Sequence, residues 1–152
     1  MTDGTASRNR TTQIAVSEAR SWIGTPYRHQ ASLKGVGCDC LGLLRGVWRA
    51  LYGAEPESMP AYAPDWAEAN GEERLVSAAR RHLIEIDSSE AVPGDVLLFR
   101  WREHLPAKHA AILSGDGRMI HAYDGAAVAE VSFAPFWRRR VAGAFRFPAV
   151  TN

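Results

Sequence analysis

Only two of the 152 residues are cysteine, and they stand one residue apart, at Cys38 and Cys40. That excludes a disulfide framework, and a bridge across a single intervening residue would be strained, so both read as thiols. Lysine is as scarce, with two residues against sixteen arginines. The arginine bias accompanies abundant alanine and reads as codon bias, not as a nucleic-acid signature. With 18 Lys and Arg against 17 Asp and Glu the net charge is +1, so no single-signed field marks a polyanion as partner. No apolar run approaches the roughly 20 residues of a membrane span. The polar stretch Met1–Gln13 lacks the apolar core of a secretory signal. The expectations are synthesis in the cytoplasm without an export signal, and neither nucleic acid nor membrane as partner.

What is present suits one domain over 1–152, preceded by a flexible arm over 1–11. A first helix is expected from about Thr12 to Trp22, stopped by Gly24 and Pro26. Tyr27–Gly37 reads as a loop. A second helix opens at Cys40 and runs to Tyr52, with Leu41, Leu44, Trp48 and Leu51 at helical spacing and Gly53 beyond its end. A stretch punctuated by Pro56, Pro60 and Pro64 precedes a surface helix over Glu72–Leu83. The period then changes. Asp95–Trp101, Lys108–Ser114, Arg118–Tyr123, Val128–Phe133 and Val141–Phe147 are short strand-like segments between turn residues. Helices first and strands afterwards imply α+β, with helices packed on a five- or six-stranded antiparallel sheet.

The chemistry gathers at Gly37-Cys38-Asp39-Cys40-Leu41-Gly42. Asp39 is a good N-cap, which puts Cys40 in the first helical turn, where free N–H groups and the helix dipole favour a thiolate. A nucleophile needs a base and the base an orienting group. The hairpin around Gly115-Asp116-Gly117 offers both. If Ser114 pairs with Arg118, His109 lies opposite Tyr123 and diagonal to His121, with both imidazoles on one face. A one-residue slip would separate them.

Four segments then carry a resemblance: Asp39-Cys40 opening a helix, Gly94-Asp95-Val96-Leu97-Leu98-Phe99, His109-Ala110-Ala111-Ile112-Leu113, and Met119-Ile120-His121-Ala122. With Gly24-Thr25-Pro26-Tyr27 before them, the chain resembles the NlpC-type family of papain-like cysteine peptidases over about Ala15–Phe147. The resemblance implies an enzyme that cleaves peptidoglycan stem peptides, typically next to D-glutamate and diaminopimelate, without metal or organic cofactor. It implies Cys40 as nucleophile, His109 as general base and His121 as orienting residue. Tyr27 would sit beside the oxyanion region and Asp39 would help bind the substrate's free amine. Many relatives carry serine after the nucleophile, where this chain has Leu41. The run Gly37–Trp48 is similar to the branch found in phage and gene-transfer-agent tail modules. That similarity implies a tail-tip or baseplate component of a phage-like particle, with tail proteins as partners and the arm and the Phe136–Arg140 corner as docking points.

Alternatives stay open at this level. An amidase or transferase on the same scaffold, a free endolysin, or a tail protein with little activity would share these residues. Cys38, Cys40, His109 and His121 could supply four zinc ligands, but the one-residue gap is shorter than the usual spacing. Cys38 reads as a packing thiol. His29, His82 and His104 read as solvated or capping histidines, and Arg138-Arg139-Arg140 as a solvated basic turn.

Overall fold

The computed structural model describes residues 2–56 and 74–151. The proline-punctuated stretch beyond Pro56, together with Glu72 and Glu73, falls outside them.

Helix α1 spans Thr2–Ser21 and starts ten residues earlier than expected, so it takes in most of the segment read as a flexible arm. Residues 4–10 are mostly exposed and carry no apolar stripe to read. Thr11 ties this half to the body: its buried hydroxyl accepts from the Val150 N–H at 2.9 Å and donates to the Ser7 carbonyl at 2.6 Å. The second half buries Ala15, Val16 and Ala19, with Trp22 just beyond. The loop that follows holds a two-stranded ribbon, β1 (Ser32–Leu33) and β2 (Gly37–Cys38), where no strand was expected.

Helix α2 spans Cys40–Tyr52 and Gly53 is its C-cap, as the sequence implied. Its packing differs in detail. Leu43, Val47, Gly42 and Gly46 are buried along with Leu41, whereas Leu44, Trp48 and Leu51 are only partly buried. The helix touches α1 on one side and the sheet on another, so an apolar stripe read for a single buried face undercounts what it covers. Two glycines permit that approach. A Cβ on Gly42 would lie 1.8 Å from the Ala31 carbonyl oxygen, and one on Gly46 2.1 Å from the Trp22 ring. Helix α3, Arg74–His82, buries Leu75, Val76 and Ala79.

Six antiparallel strands follow: β3 (Ile84–Ile86), β4 (Val96–Phe99), β5 (His109–Gly115), β6 (Arg118–His121), β7 (Ala129–Ser132) and β8 (Val141–Arg146). Their order in the sheet is β3-β8-β4-β5-β6-β7. Five were legible. The edge strand β3 was not, because three residues, two exposed and one partly buried, make too short an alternation. A short helix α4, Pro135–Arg138, sits between β7 and β8.

Alternation along the strands gives the sheet two apolar faces. Val96, Leu98, Ala110, Ile112, Ile120 and Phe145 pack with Leu43, Val47, Leu75 and Val76 of the helices. Leu97, Phe99, Ala111, Leu113, Met119 and Ala144 form the opposite cluster, covered by Phe133 and Trp137. The fold is therefore α+β, with α1, α2 and α3 on one face of a six-stranded antiparallel sheet and the short α4 against the other.

The β5–β6 hairpin decides the site. Ile112 pairs with Ile120 and Leu113 with Met119, the register expected from the turn. A bulge follows, so Gly115 rather than Ser114 faces Arg118. The Ser114 hydroxyl instead donates to Glu130 at 2.6 Å. This irregularity is confined to the turn end. Toward the other end the register leaves His109 and His121 diagonal on one face.

Candidate active site

Asp39 builds the start of α2. In extended backbone (φ −103°, ψ −171°), its Oδ1 accepts from the Gly42 N–H at 2.7 Å, as an N-cap should. Its Oδ2 accepts from the Gln30 N–H at 2.7 Å, with His29 Nδ1 3.9 Å away. The carboxylate is 3% exposed, so it pins the preceding loop to the helix from within. Cys38 has a backbone task. Its N–H donates to the Pro26 carbonyl and its carbonyl accepts from Arg28, which seats Tyr27 beside it, and its side chain is fully buried.

Cys40 is partly exposed. Its Sγ lies 3.9 Å from the Lys108 carbonyl oxygen, and the Ala110 N–H also reaches it. These are the residues on either side of His109, so the thiol rests against the start of β5 where the imidazole emerges. His109 Nε2 and His121 Nδ1 are 2.9 Å apart, one donating and the other accepting. That pairing engages Nε2 and leaves Nδ1 as the other His109 ring nitrogen.

The charge state differs from the expectation of a thiolate. Burial pushes the Cys40 thiol up to about 12, and the Asp39 carboxylate pushes the same way. Backbone N–H groups of Ala110, Leu41 and Cys40 itself oppose the rise without cancelling it. Burial, with His121 second, takes His109 down to about 3, and burial takes His121 down to about 4. At neutral pH the resting site therefore holds a neutral thiol and two neutral imidazoles. The helix terminus is outweighed by desolvation.

Tyr27 belongs to the same cluster. Desolvation first, then Cys40, Asp39, Asp124 and Cys38, raises its hydroxyl well above the ordinary tyrosine value, so it stays protonated and able to donate. All five residues singled out from the sequence, Tyr27, Asp39, Cys40, His109 and His121, thus converge. The remaining histidines do not join the imidazole pair: His29 lies near Asp39, His82 packs edge-on to Trp48, and His104 is in an exposed loop. Among the described residues no three His, Cys, Asp or Glu side chains form a group able to hold a metal ion.

The structure adds an aromatic enclosure that the sequence did not reveal. Trp101 stacks on His109 at 5.7 Å, and Tyr123 stacks on His121 at 5.7 Å. Trp137 lies 5.4 Å from His109 and 5.2 Å from His121, and so flanks their shared hydrogen bond. Trp137 comes from α4, sixteen residues past His121, and no spacing rule links the two. Tyr123 was legible only as the residue across from His109.

A profile of the NlpC/P60 family matches residues 24–146. Murein DD-endopeptidase MepH of Escherichia coli K12 is 29% identical over 143 residues, covering 93% of this chain and 48% of that protein. The fold is shared with a lipoprotein-like NLP/P60 protein of Staphylococcus aureus, at 25% identity and TM-score 0.59, over 94% of this chain and 42% of that one. The NlpC/p60 domain of peptidoglycan hydrolase SagA is likewise 25% identical, with TM-score 0.61, over 90% of this chain and 98% of that domain. The chain spans about half the length of the curated relative it matches. The family match runs through the Cys40 helix start and both histidine strands, and the chain belongs to the NlpC/P60 family.

Proposed function

We propose that this chain is a cysteine endopeptidase that hydrolyses peptidoglycan stem peptides by acyl transfer through Cys40. The observation that carries the reading is the thiol seated against Lys108 and Ala110, beside an imidazole whose far nitrogen is 2.9 Å from a second imidazole. Two relatives, a murein endopeptidase and a peptidoglycan hydrolase, support the substrate class.

The reaction follows from the resting charge state. His109 Nδ1 takes the Cys40 proton as Sγ bonds to the amide carbonyl carbon, and His121 holds the tautomer that makes Nδ1 an acceptor. The oxyanion faces the Cys40 N–H at the helix start, with the Tyr27 hydroxyl as a second donor. His109 gives its proton to the leaving amine as the C–N bond breaks, which leaves a thioester. Water, deprotonated by His109, attacks that thioester. The tetrahedral adduct breaks at the C–S bond, and the proton returns to sulfur. Asp39 holds the cap and adds negative charge for the substrate's free amine. The bond cleaved is the one next to D-glutamate and diaminopimelate.

The finer setting is a phage or gene-transfer-agent tail tip, where the enzyme opens the recipient's wall. The similarity of Gly37–Trp48 to tail-module relatives supports it. Particles carrying Cys40→Ala should assemble and deliver their contents poorly; absence of the protein from purified particles refutes this setting.

The chemistry is tested with purified muropeptides, reading product masses. Wild type should split the stem peptide and expose a new amine. Cys40→Ala should abolish this, His109→Ala should lower kcat/KM by about 10²–10⁴, and His121→Ala should lower it less. Equal product from Cys40→Ala and wild type would overturn the assignment.

A further inference from the structure

Two aromatic rings beside the imidazole pair are not absorbed by the core. Trp101 stacks on His109, with ring centroids 5.7 Å apart and planes at 23°. Tyr123 lies edge-on to His109 at 5.6 Å and stacks on His121 at 5.7 Å. Trp137, the third ring against the histidines, packs on the apolar cluster that holds Leu97 and Phe99. Trp101 and Tyr123 belong to neither apolar cluster. Trp101 is partly exposed and Tyr123 is 41% exposed, whereas His109 and His121 beneath them are 4% and 5% exposed. Open aromatic surface beside a buried reacting group is a place where the apolar part of a ligand completes the burial.

The two rings form a corner. Their centroids are 5.9 Å apart and their planes meet at 61°. The corner lies at the reacting end of the β4–β5 pair. The Cys40 Sγ is 3.9 Å from the Lys108 carbonyl oxygen, the Lys108 N–H donates to the Phe99 carbonyl at 3.0 Å, and Trp101 comes two residues after Phe99. Which part of a substrate reaches the corner follows from the path of the proton. His109 gives its proton to the leaving nitrogen, and that transfer needs the two heavy atoms about 2.6–3.2 Å apart. The residue that carries the leaving nitrogen is therefore held against His109. The rings packed on that imidazole are the ones its side chain meets. Ring faces favour methylene groups, whereas a short side chain leaves them in water.

We infer that Trp101 and Tyr123 form the subsite for the side chain of the leaving-group residue, and that this subsite selects a long methylene stem over a short side chain. This rests on the acyl-transfer reading above. A long stem lies along the rings and leaves any polar head at its end in water. The extra methylenes of norleucine over alanine, half covered by the rings, favour the longer side chain by about tenfold.

The experiment uses a purified muropeptide and two synthetic stem peptides of equal charge, with norleucine or alanine in the leaving position. Wild type should cleave the norleucine peptide about tenfold better in kcat/KM. Trp101→Ala/Tyr123→Ala should bring that ratio near one, and Trp101→Phe, which keeps a ring face, should retain part of it. Rings that only supported the histidines would slow both peptides alike, so an undiminished ratio in the double variant overturns the subsite. Equal rates on the two peptides by wild type overturn it as well, and so does cleavage of the muropeptide with neither synthetic peptide turned over. Each of these outcomes leaves the endopeptidase reading standing. If the double variant fails to fold, as a melting curve shows, Tyr123→Ala at the more open ring carries the comparison: its ratio should fall, and an unchanged ratio overturns the subsite. Failure to cleave any of the three substrates refutes the endopeptidase reading, and the subsite falls with it.

Discussion

Replacing Asp39 tests how the nucleophile helix is started. Its two carboxylate oxygens each take a backbone N–H at 2.7 Å, from Gly42 and from Gln30, in a position 3% exposed. Asp39→Ala removes the cap, which costs about 1 kcal/mol. It also leaves the Gln30 N–H without that acceptor in partly buried surroundings, which costs about 1–3 kcal/mol more. The expected loss is about 3 kcal/mol. A domain of this size shifts by about 2–4 °C per kcal/mol, so the melting temperature should fall by about 6–12 °C. Asp39→Asn keeps one acceptor oxygen in place and should lose about half as much. The Asn variant has a second signature. Asp39 pushes the Cys40 thiol upward, so removing its charge should lower the thiol's pKa and speed alkylation by iodoacetamide at pH 8. Scanning calorimetry and a timed alkylation read the two effects separately. An Ala variant that melts within 2 °C of wild type, or an Asn variant alkylated more slowly, would refute the reasoning.

Three further outcomes follow from the same geometry. Unfolded histidine protonates near pH 6.5, whereas His109 and His121 stay neutral in the fold down to about 3 and 4, so the unfolded state gains protons first as pH falls. Stability present above pH 6.5 should therefore drain away toward pH 4, by about 2 kcal/mol per histidine at pH 5, and urea titrations of His109→Ala/His121→Ala should show a flatter pH profile. Trp137→Ala opens the imidazole pair to water and should move the acid limb of the kcat/KM profile upward, with Trp137→Phe restoring it; an unmoved limb would remove the shielding role. Iodoacetamide should label partly exposed Cys40 well before fully buried Cys38, as read by peptide mapping, and the reverse order would contradict the packing around both thiols.

How legible each element was depends on whether its signal is local. The Asp39 cap, the α2 boundaries, five strands and the diagonal of His109 and His121 all follow from short-range periods and turn residues, and the structure has them. The start of α1 was placed ten residues late because its mostly exposed first half has no apolar period, and its anchor is Thr11, bonded to Val150 at the other end of the chain. Strand β3 is too short to show a period. Leu43 and Val47 were passed over because α2 is covered from two directions. The thiol's charge state could not be read either. Burial outweighs the helix terminus, and burial is set in part by the start of β5, far along the chain at Lys108 and Ala110. The same holds for Trp101 and Trp137, which reach the histidines only through the sheet.

The central claim is that the Cys40 sulfur carries the acyl group. It is tested most directly by acid-quenching the protein during turnover of a purified muropeptide and mapping the adduct by mass spectrometry. A hydroxylamine-labile acyl mass on the peptide containing Cys40, absent from the Cys40→Ala protein, is the expected result. The adduct on Cys38, or product formation undiminished in Cys40→Ala, would contradict the account.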